Sequence, residues 1–179
     1  MNKSVIAKIK KIKMLAMDVD GVLTGGEIIY LNKDYEIKIW SVKDRMGFAL
    51  ATRAGNLRLA WITGRESSEV ARCAKECLID DLYQKAATKN EPYKRMKAKY
   101  NLKDEEVLFI GDDLIDLPVL RQAGLSVCPQ DAPREVKKEV DLVTKASGGK
   151  GVFREIVELV LKTQGTWDKA CARYYKEGE

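Results

Sequence analysis

Short apolar runs alternate along this chain with stretches of helical character, and that alternation restricts the fold more than any other feature. Met14–Asp18, Leu57–Ile62, Leu82-Tyr83, Val107–Ile110, Leu125–Cys128 and Leu142-Val143 read as strands. Asp44 (as N-cap) to Ala54, Ser67 or Ser68 to Cys77, Glu91–Tyr100, Leu114–Ala123, Pro133–Val140 and Val152–Lys162 read as helices. This order predicts an α/β fold, a three-layer doubly wound parallel sheet covered by helices on both faces. Such sheets bind ligands beyond the C-terminal ends of their strands. Here those ends read Asp18-Val19-Asp20-Gly21, Thr63-Gly64-Arg65, the neighbourhood of Lys89, and Gly111-Asp112-Asp113.

The first of these ends carries the most chemistry. Side chains two apart on a strand point the same way, so Asp18 and Asp20 can share one pocket, and Gly21 lets the chain turn beside them. Two such carboxylates repel unless a cation sits between them or one keeps its proton, and Mg²⁺ suits oxygen ligands of this kind. Asp112, Asp113, the Thr63 hydroxyl, Lys89 and Arg65 complete a pocket fit for a phosphate group and a carboxylate nucleophile. A second carboxylate must protonate the leaving oxygen and then activate water, and Asp20 is placed for that.

The chain has 0 His among 179 residues, which excludes Ser/His/Asp hydrolysis, Cys/His chemistry and His-bound zinc. The length predicts one domain, 1–179, with a core of its own. A net charge of +5 suits an anionic small substrate and is too slight and too interspersed with acidic residues for nucleic acid. Cys73, Cys77, Cys128 and Cys171 form no Cys-x-x-Cys pair, so reduced thiols and a cytoplasmic location are expected, with no signal peptide and no membrane span. Cys128 to Arg134 matches Cys-x5-Arg, but Pro129 and Pro133 remove backbone donors and Asp131 adds repulsion, so a buried strand-end thiol is expected there.

A β-hairpin is expected within 26–41, with Glu27–Leu31 and Glu36–Ser41 flanking a turn at Asn32-Lys33-Asp34. It is two-faced and carries Tyr30 and Trp40, so it needs something to pack on, a second subunit included. The tail 165–179 shows no element of its own.

Asp18-Val19-Asp20-Gly21-Val22-Leu23-Thr24, Thr63-Gly64-Arg65, Lys89 and the run Gly111 to Pro118 (GDDLIDLP) resemble, in that order, the four motifs of the haloacid dehalogenase superfamily of phosphotransferases. The resemblance covers nearly the whole chain. It implies Asp18 as the nucleophile that becomes an aspartyl-phosphate, Asp20 as general acid and base, and Lys89 orienting the nucleophile. It puts Thr63, Gly64, Arg65 and Thr24 on the substrate side. Mg²⁺ would be held by the Asp18 carboxylate, the Asp20 main-chain carbonyl and Asp112. One of Asp113 and Asp116 would support the metal through water, and Asp116 has the alternative reading of capping the helix that follows.

No domain-sized insertion separates Gly26 from Ile62 or Arg65 from Val107, so the resemblance is to the capless branch. The finer pattern, with Ile62 to Ser68 (ITGRESS) and the run from Gly148 (GGKGVFREIVELVLKTQG), is similar to members acting on 3-deoxy-D-manno-octulosonate 8-phosphate in lipopolysaccharide synthesis. A nonulosonate 9-phosphate or another sugar phosphate is the alternative. That branch implies a homotetramer with a central barrel of hairpins and with neighbouring subunits covering each other's sites. The Gly148–Gly151 loop and the tail resemble the segment that reaches a neighbour's substrate. Arg65 would pair with the sugar-acid carboxylate, or else with Glu69. Three positions depart from the branch: Gly25 where it has Asp, Arg45 where it often has Gly, and Lys85 where it has Gly. A regulatory domain carrying a persistent phospho-aspartate is a further reading, against which Asp20 stands.

Overall fold

The computed structural model describes residues 2–32 and 36–175. In chain order its elements are α1 (Lys3–Ile9), β1 (Met14–Met17), β2 (Ile29–Tyr30), β3 (Glu36–Ile37), α2 (Val42–Ala54), β4 (Arg58–Ile62), α3 (Ser68–Glu76), β5 (Asp81–Tyr83), α4 (Asn90–Tyr100), β6 (Val107–Ile110), α5 (Leu117–Leu120), β7 (Leu125–Cys128), α6 (Arg134–Lys137), β8 (Leu142–Val143), α7 (Val152–Gln164) and α8 (Trp167–Tyr175). Single 3-10 turns at Asp104–Glu106 and Leu114–Asp116 precede β6 and α5.

Six strands form one parallel sheet in the order β5-β4-β1-β6-β7-β8. β1 lies in the middle, and the chain winds outward from it in both directions, so the loop after β1 stands at the switch point of the topology. The alternation of side chains feeds two cores. Leu15, Met17, Leu59, Trp61, Leu108 and Ile110 face α1, α2, α3, α7 and α8, whereas Met14, Ala16, Ala60, Ile62, Val107 and Phe109 face α4, α5 and α6. β1 and β6 are buried along their whole length, as strands covered on both faces must be.

Three expectations need correction. The cap of α2 is Ser41, and Asp44 sits inside its first turn. Asp44 instead reaches across to α7: its Oδ1 accepts the backbone N–H of Arg154 at 2.8 Å, at a helix start where Gly151 offers no side-chain cap. The helix expected over Leu114–Ala123 is split. The Asp113–Asp116 capping box and Pro118 tighten its first turn into a 3-10 turn, leaving Leu117–Leu120 as α-helix. The tail is not featureless: α8 buries Ala170 and Cys171 in the core beside α2 and α7.

The hairpin pairs as β2 with β3, a shorter ladder than expected, and part of its expected turn lies outside the described residues. Its second arm is fastened by Trp40, whose ring stacks on Trp61 of β4 with centroids 5.8 Å apart. Its amphipathicity is inverted. Glu36, Lys38 and Trp40 turn inward, while Ile37 and Ile39 are 43% and 65% exposed.

Candidate active site

Asp18 follows β1 directly, and its backbone N–H still donates to Ile110 of β6, at 2.9 Å. Both of its carboxylate oxygens are engaged: Val19 N–H donates to Oδ1 at 2.7 Å, and Lys89 Nζ lies 2.8 Å from Oδ2. Lys89 stands at the N-cap of α4 and is itself buried. It also donates to Asp116 Oδ1 at 2.5 Å. Asp116 is fully buried, and its Oδ2 accepts the backbone N–H groups of Asp112, at 2.9 Å, and Asp113, at 3.3 Å.

Asp18, Asp112 and Asp116 each offer a carboxylate oxygen within 4.8 Å of the other two. Asp116 is fully used by Lys89 and the two backbone donors. Asp112 is not: its Oδ1 is buried and without a hydrogen-bond partner among the described residues. Burial, followed by the charges of Asp18 and Asp116, pushes the Asp112 carboxyl up to about 8. Burial also raises Asp18 to about 6, with Lys89 opposing it. A buried acceptor with no donor beside a second carboxylate fits a hard divalent cation, which would satisfy both.

Asp20 turns the other way. Its Oδ1 accepts from the Thr24 hydroxyl at 3.4 Å and from Lys38 of the hairpin, and Arg65 Nε lies 3.9 Å from its Oδ2. Thr24 is buried, and its hydroxyl oxygen accepts from Gly26 N–H at 3.3 Å. Gly21 adopts a φ of +89°, and a Cβ there would run into the Asp112 carboxylate, so only glycine lets the loops after β1 and β6 meet. Gly149 N–H donates to Val22 O at 3.0 Å, which docks the Gly148–Gly151 loop on the β1 loop of its own chain.

Thr63 lies at the end of β4 beside β1, buried, with its hydroxyl oxygen accepting from Arg65 N–H at 3.3 Å. Gly64 has only Ala86 O near a Cβ position, at 3.6 Å, so no close approach demands glycine there. Arg65 Nη2 donates to Glu36 Oε2 at 2.7 Å and not to Glu69. Asp113 is exposed and caps the following turn by accepting from Leu114 N–H at 2.7 Å. The 3-10 turn thus separates the two acids: Asp113 caps outside while Asp116 lies in the pocket floor. Arg45 and Lys85 are held by surface glutamates, Glu76 at 2.9 Å and Glu66 at 2.5 Å.

A sequence profile described as haloacid dehalogenase-like hydrolase matches residues 60–156. The chain belongs to the haloacid dehalogenase-like hydrolases. The likeness extends beyond the profile to nearly the whole hydrolase. It is 40% identical over 167 residues to 3-deoxy-D-manno-octulosonate 8-phosphate phosphatase of Escherichia coli, across 93% of this chain and 88% of that one. The crystal structure of the Moraxella catarrhalis 3-deoxy-D-manno-octulosonate 8-phosphate phosphatase, in complex with magnesium ion, phosphate ion and the sugar acid, superposes with a TM-score of 0.92 at 34% identity, covering 97% of this chain and 99% of that one. The cobalt-bound phosphatase from Haemophilus influenzae gives a TM-score of 0.84 at 33% identity, covering 88% and 92%.

Sequence reasoning on this hydrolase missed Lys38 and Glu36 at the site and left Asp116 open. Asp116 had a local signal, since Asp113 and Asp116 stand three apart as a capping box does. Lys38 had a weaker one, a lysine on the face of the hairpin opposite the isoleucines.

Proposed function

We propose that the chain is a Mg²⁺-dependent phosphatase that hydrolyses 3-deoxy-D-manno-octulosonate 8-phosphate to the free sugar acid and phosphate, in the cytoplasmic synthesis of lipopolysaccharide precursors. The observation that carries this reading is the buried Asp18–Lys89–Asp116 bridge beside the unpartnered Asp112, at the switch point of a sheet that closely matches phosphatases of this specificity.

The Asp18 carboxylate, the Asp20 main-chain carbonyl and Asp112 would hold Mg²⁺. When bound, the ion offsets the charge between carboxylates and phosphoryl oxygens. Lys89 neutralises part of the same charge and aims Asp18, which its short contact fixes from one side as Val19 N–H does from the other. Asp18 attacks phosphorus, the bond to the sugar oxygen breaks, and Asp20 delivers a proton to that oxygen. Asp20 then takes a proton from water as the water attacks the aspartyl-phosphate and releases Asp18. Thr63, Gly64 and Thr24 line the phosphoryl side. Arg65, already positioned by Glu36, offers its remaining N–H groups to the sugar-acid carboxylate.

The active form is a homotetramer. Ile29, Ile37 and Ile39 lie on the outward face of the hairpin and Val42 beside it is 80% exposed, an apolar surface that a second copy would cover. A monomer at micromolar concentration by light scattering would contradict this.

The test is phosphate release from the 8-phosphate against nonulosonate 9-phosphates and hexose 6-phosphates. Preference for the 8-phosphate that EDTA abolishes supports the reading. Metal-dependent preference for another phosphate moves the substrate and keeps the reaction.

A further inference from the structure

The hairpin carries a buried cation that no motif of the sequence called for. Lys38 has 2% of its side chain exposed, donates to Asp20 Oδ1, and lies 3.4 Å from Glu36 Oε1. Glu36 Oε2 in turn accepts from Arg65 at 2.7 Å, and Arg65 Nε approaches Asp20 Oδ2 to 3.9 Å. These four side chains close a ring of alternating charge. It joins the loop after β1, the hairpin and the loop after β4.

A lysine buried this deeply costs stability unless it is paired, so its location needs a reason beyond solubility. Without Lys38, Asp20 keeps, among the described residues, only a long hydrogen bond from Thr24 and the distant Arg65 Nε. A carboxylate that must first give a proton to one oxygen and then take one from water has to hold a single direction through both steps. Trp40, stacked on Trp61 two residues further on, fixes the arm that delivers Lys38.

We propose that Lys38 is the positioning residue for Asp20, which makes the hairpin a working part of the acid–base machinery. This rests on the phosphatase reading above. A hairpin that merely packs over the site would predict no effect tied to a particular chemical step.

The two possibilities separate on leaving group. An aryl phosphate expels nitrophenolate without needing a proton, so Asp18 can be phosphorylated while Asp20 is misdirected. Attack of water on the aspartyl-phosphate still requires Asp20 to take a proton as the P–O bond to Asp18 breaks. The experiment is stopped-flow release of nitrophenolate from p-nitrophenyl phosphate, with steady-state turnover of the sugar 8-phosphate, using full-length Lys38→Met, Lys38→Arg and unaltered enzyme in Mg²⁺. Lys38→Met is expected to give a burst approaching one nitrophenolate per site followed by slow turnover. Its kcat on the sugar phosphate should fall about tenfold or more with KM changed far less, and Lys38→Arg should recover most of the loss. Lys38→Gln replaces Lys38→Met should the latter fail to fold. A kcat within about twofold of the unaltered enzyme, or an equal loss on both substrates with no burst, overturns the proposal. Unaltered enzyme inert toward both phosphates overturns the phosphatase reading itself.

Discussion

Lys89 Nζ stands 2.5 Å from Asp116 Oδ1 in the floor of the site, with side-chain exposures of 1% and 0%. The same ammonium also touches Asp18, so one cation holds two buried carboxylates. Removing one partner of a buried pair leaves an uncompensated charge and costs roughly 3–5 kcal/mol. Lys89→Met is expected to lower metal-free stability by that order and kcat at least about a hundredfold. Urea unfolding in EDTA and in Mg²⁺ checks it, and the stability loss should shrink when Mg²⁺ takes over part of the cation's work.

The raised carboxyls set a pH dependence. Asp112 at about 8 and Asp18 and Asp44 at about 6 all lie above their unfolded values near 4. The folded state therefore holds protons that the unfolded state has lost. Their stabilisation is complete below about pH 4 and drains away as pH rises through 6 and then 8. In EDTA the urea midpoint should fall between about pH 5.5 and 8.5. Because the metal competes with the protons on Asp18 and Asp112, the gain in midpoint from Mg²⁺ should be larger at the higher pH. A midpoint that rises with pH in EDTA contradicts this account.

Asp44 tests the link between α2 and α7. It is 3% exposed, and it accepts from the first turn of α7 in place of a capping side chain. Asp44→Ala should cost about 0.5–2 kcal/mol in urea unfolding, the range of a lost N-cap. Asp44→Asn should cost less, since the amide oxygen can still accept.

Gly21→Ala should leave the fold intact and damage the site. Its φ of +89° disfavours any Cβ, and that Cβ would occupy the space of the Asp112 carboxylate. Calorimetric titration with Mg²⁺ should show affinity lower by about tenfold or more. Retained affinity would mean that Asp112 is free to move aside.

The sheet was legible because β1 and β6 are buried on both faces and read as uninterrupted apolar runs ending in polar residues, a pattern that β4 and β7 break only at Arg58 and Ser126. That Asp18, Thr63 and Asp112 stand beyond the C-terminal edge of the sheet was legible for the same reason, since a strand end fixes where the next side chain lies, whereas Lys89 arrives from the N-cap of α4, well past the end of β5. What escaped depends on contacts distant in sequence. Asp44 carries a local cap signature, but its acceptor finds an N–H 110 residues away. The Lys38–Asp20 pair exists only once the hairpin folds back over the site. α8 did carry a local signal, Trp167, Ala170, Cys171 and Tyr174 at helical spacing, but its two fully buried residues, Ala170 and Cys171, are small and its tyrosines are exposed, so the stripe is weak.

In the proposed reaction Asp18 carries the phosphoryl group. Rapid acid quench of the enzyme with the 8-phosphate labelled in its phosphoryl group, in Mg²⁺, followed by peptide mapping, tests it most directly. The account predicts acid-stable label on the peptide containing Asp18, label that chases into free phosphate and is absent from Asp18→Asn and from reactions in EDTA. Steady turnover with no labelled peptide, or with label on a peptide that lacks Asp18, would contradict it.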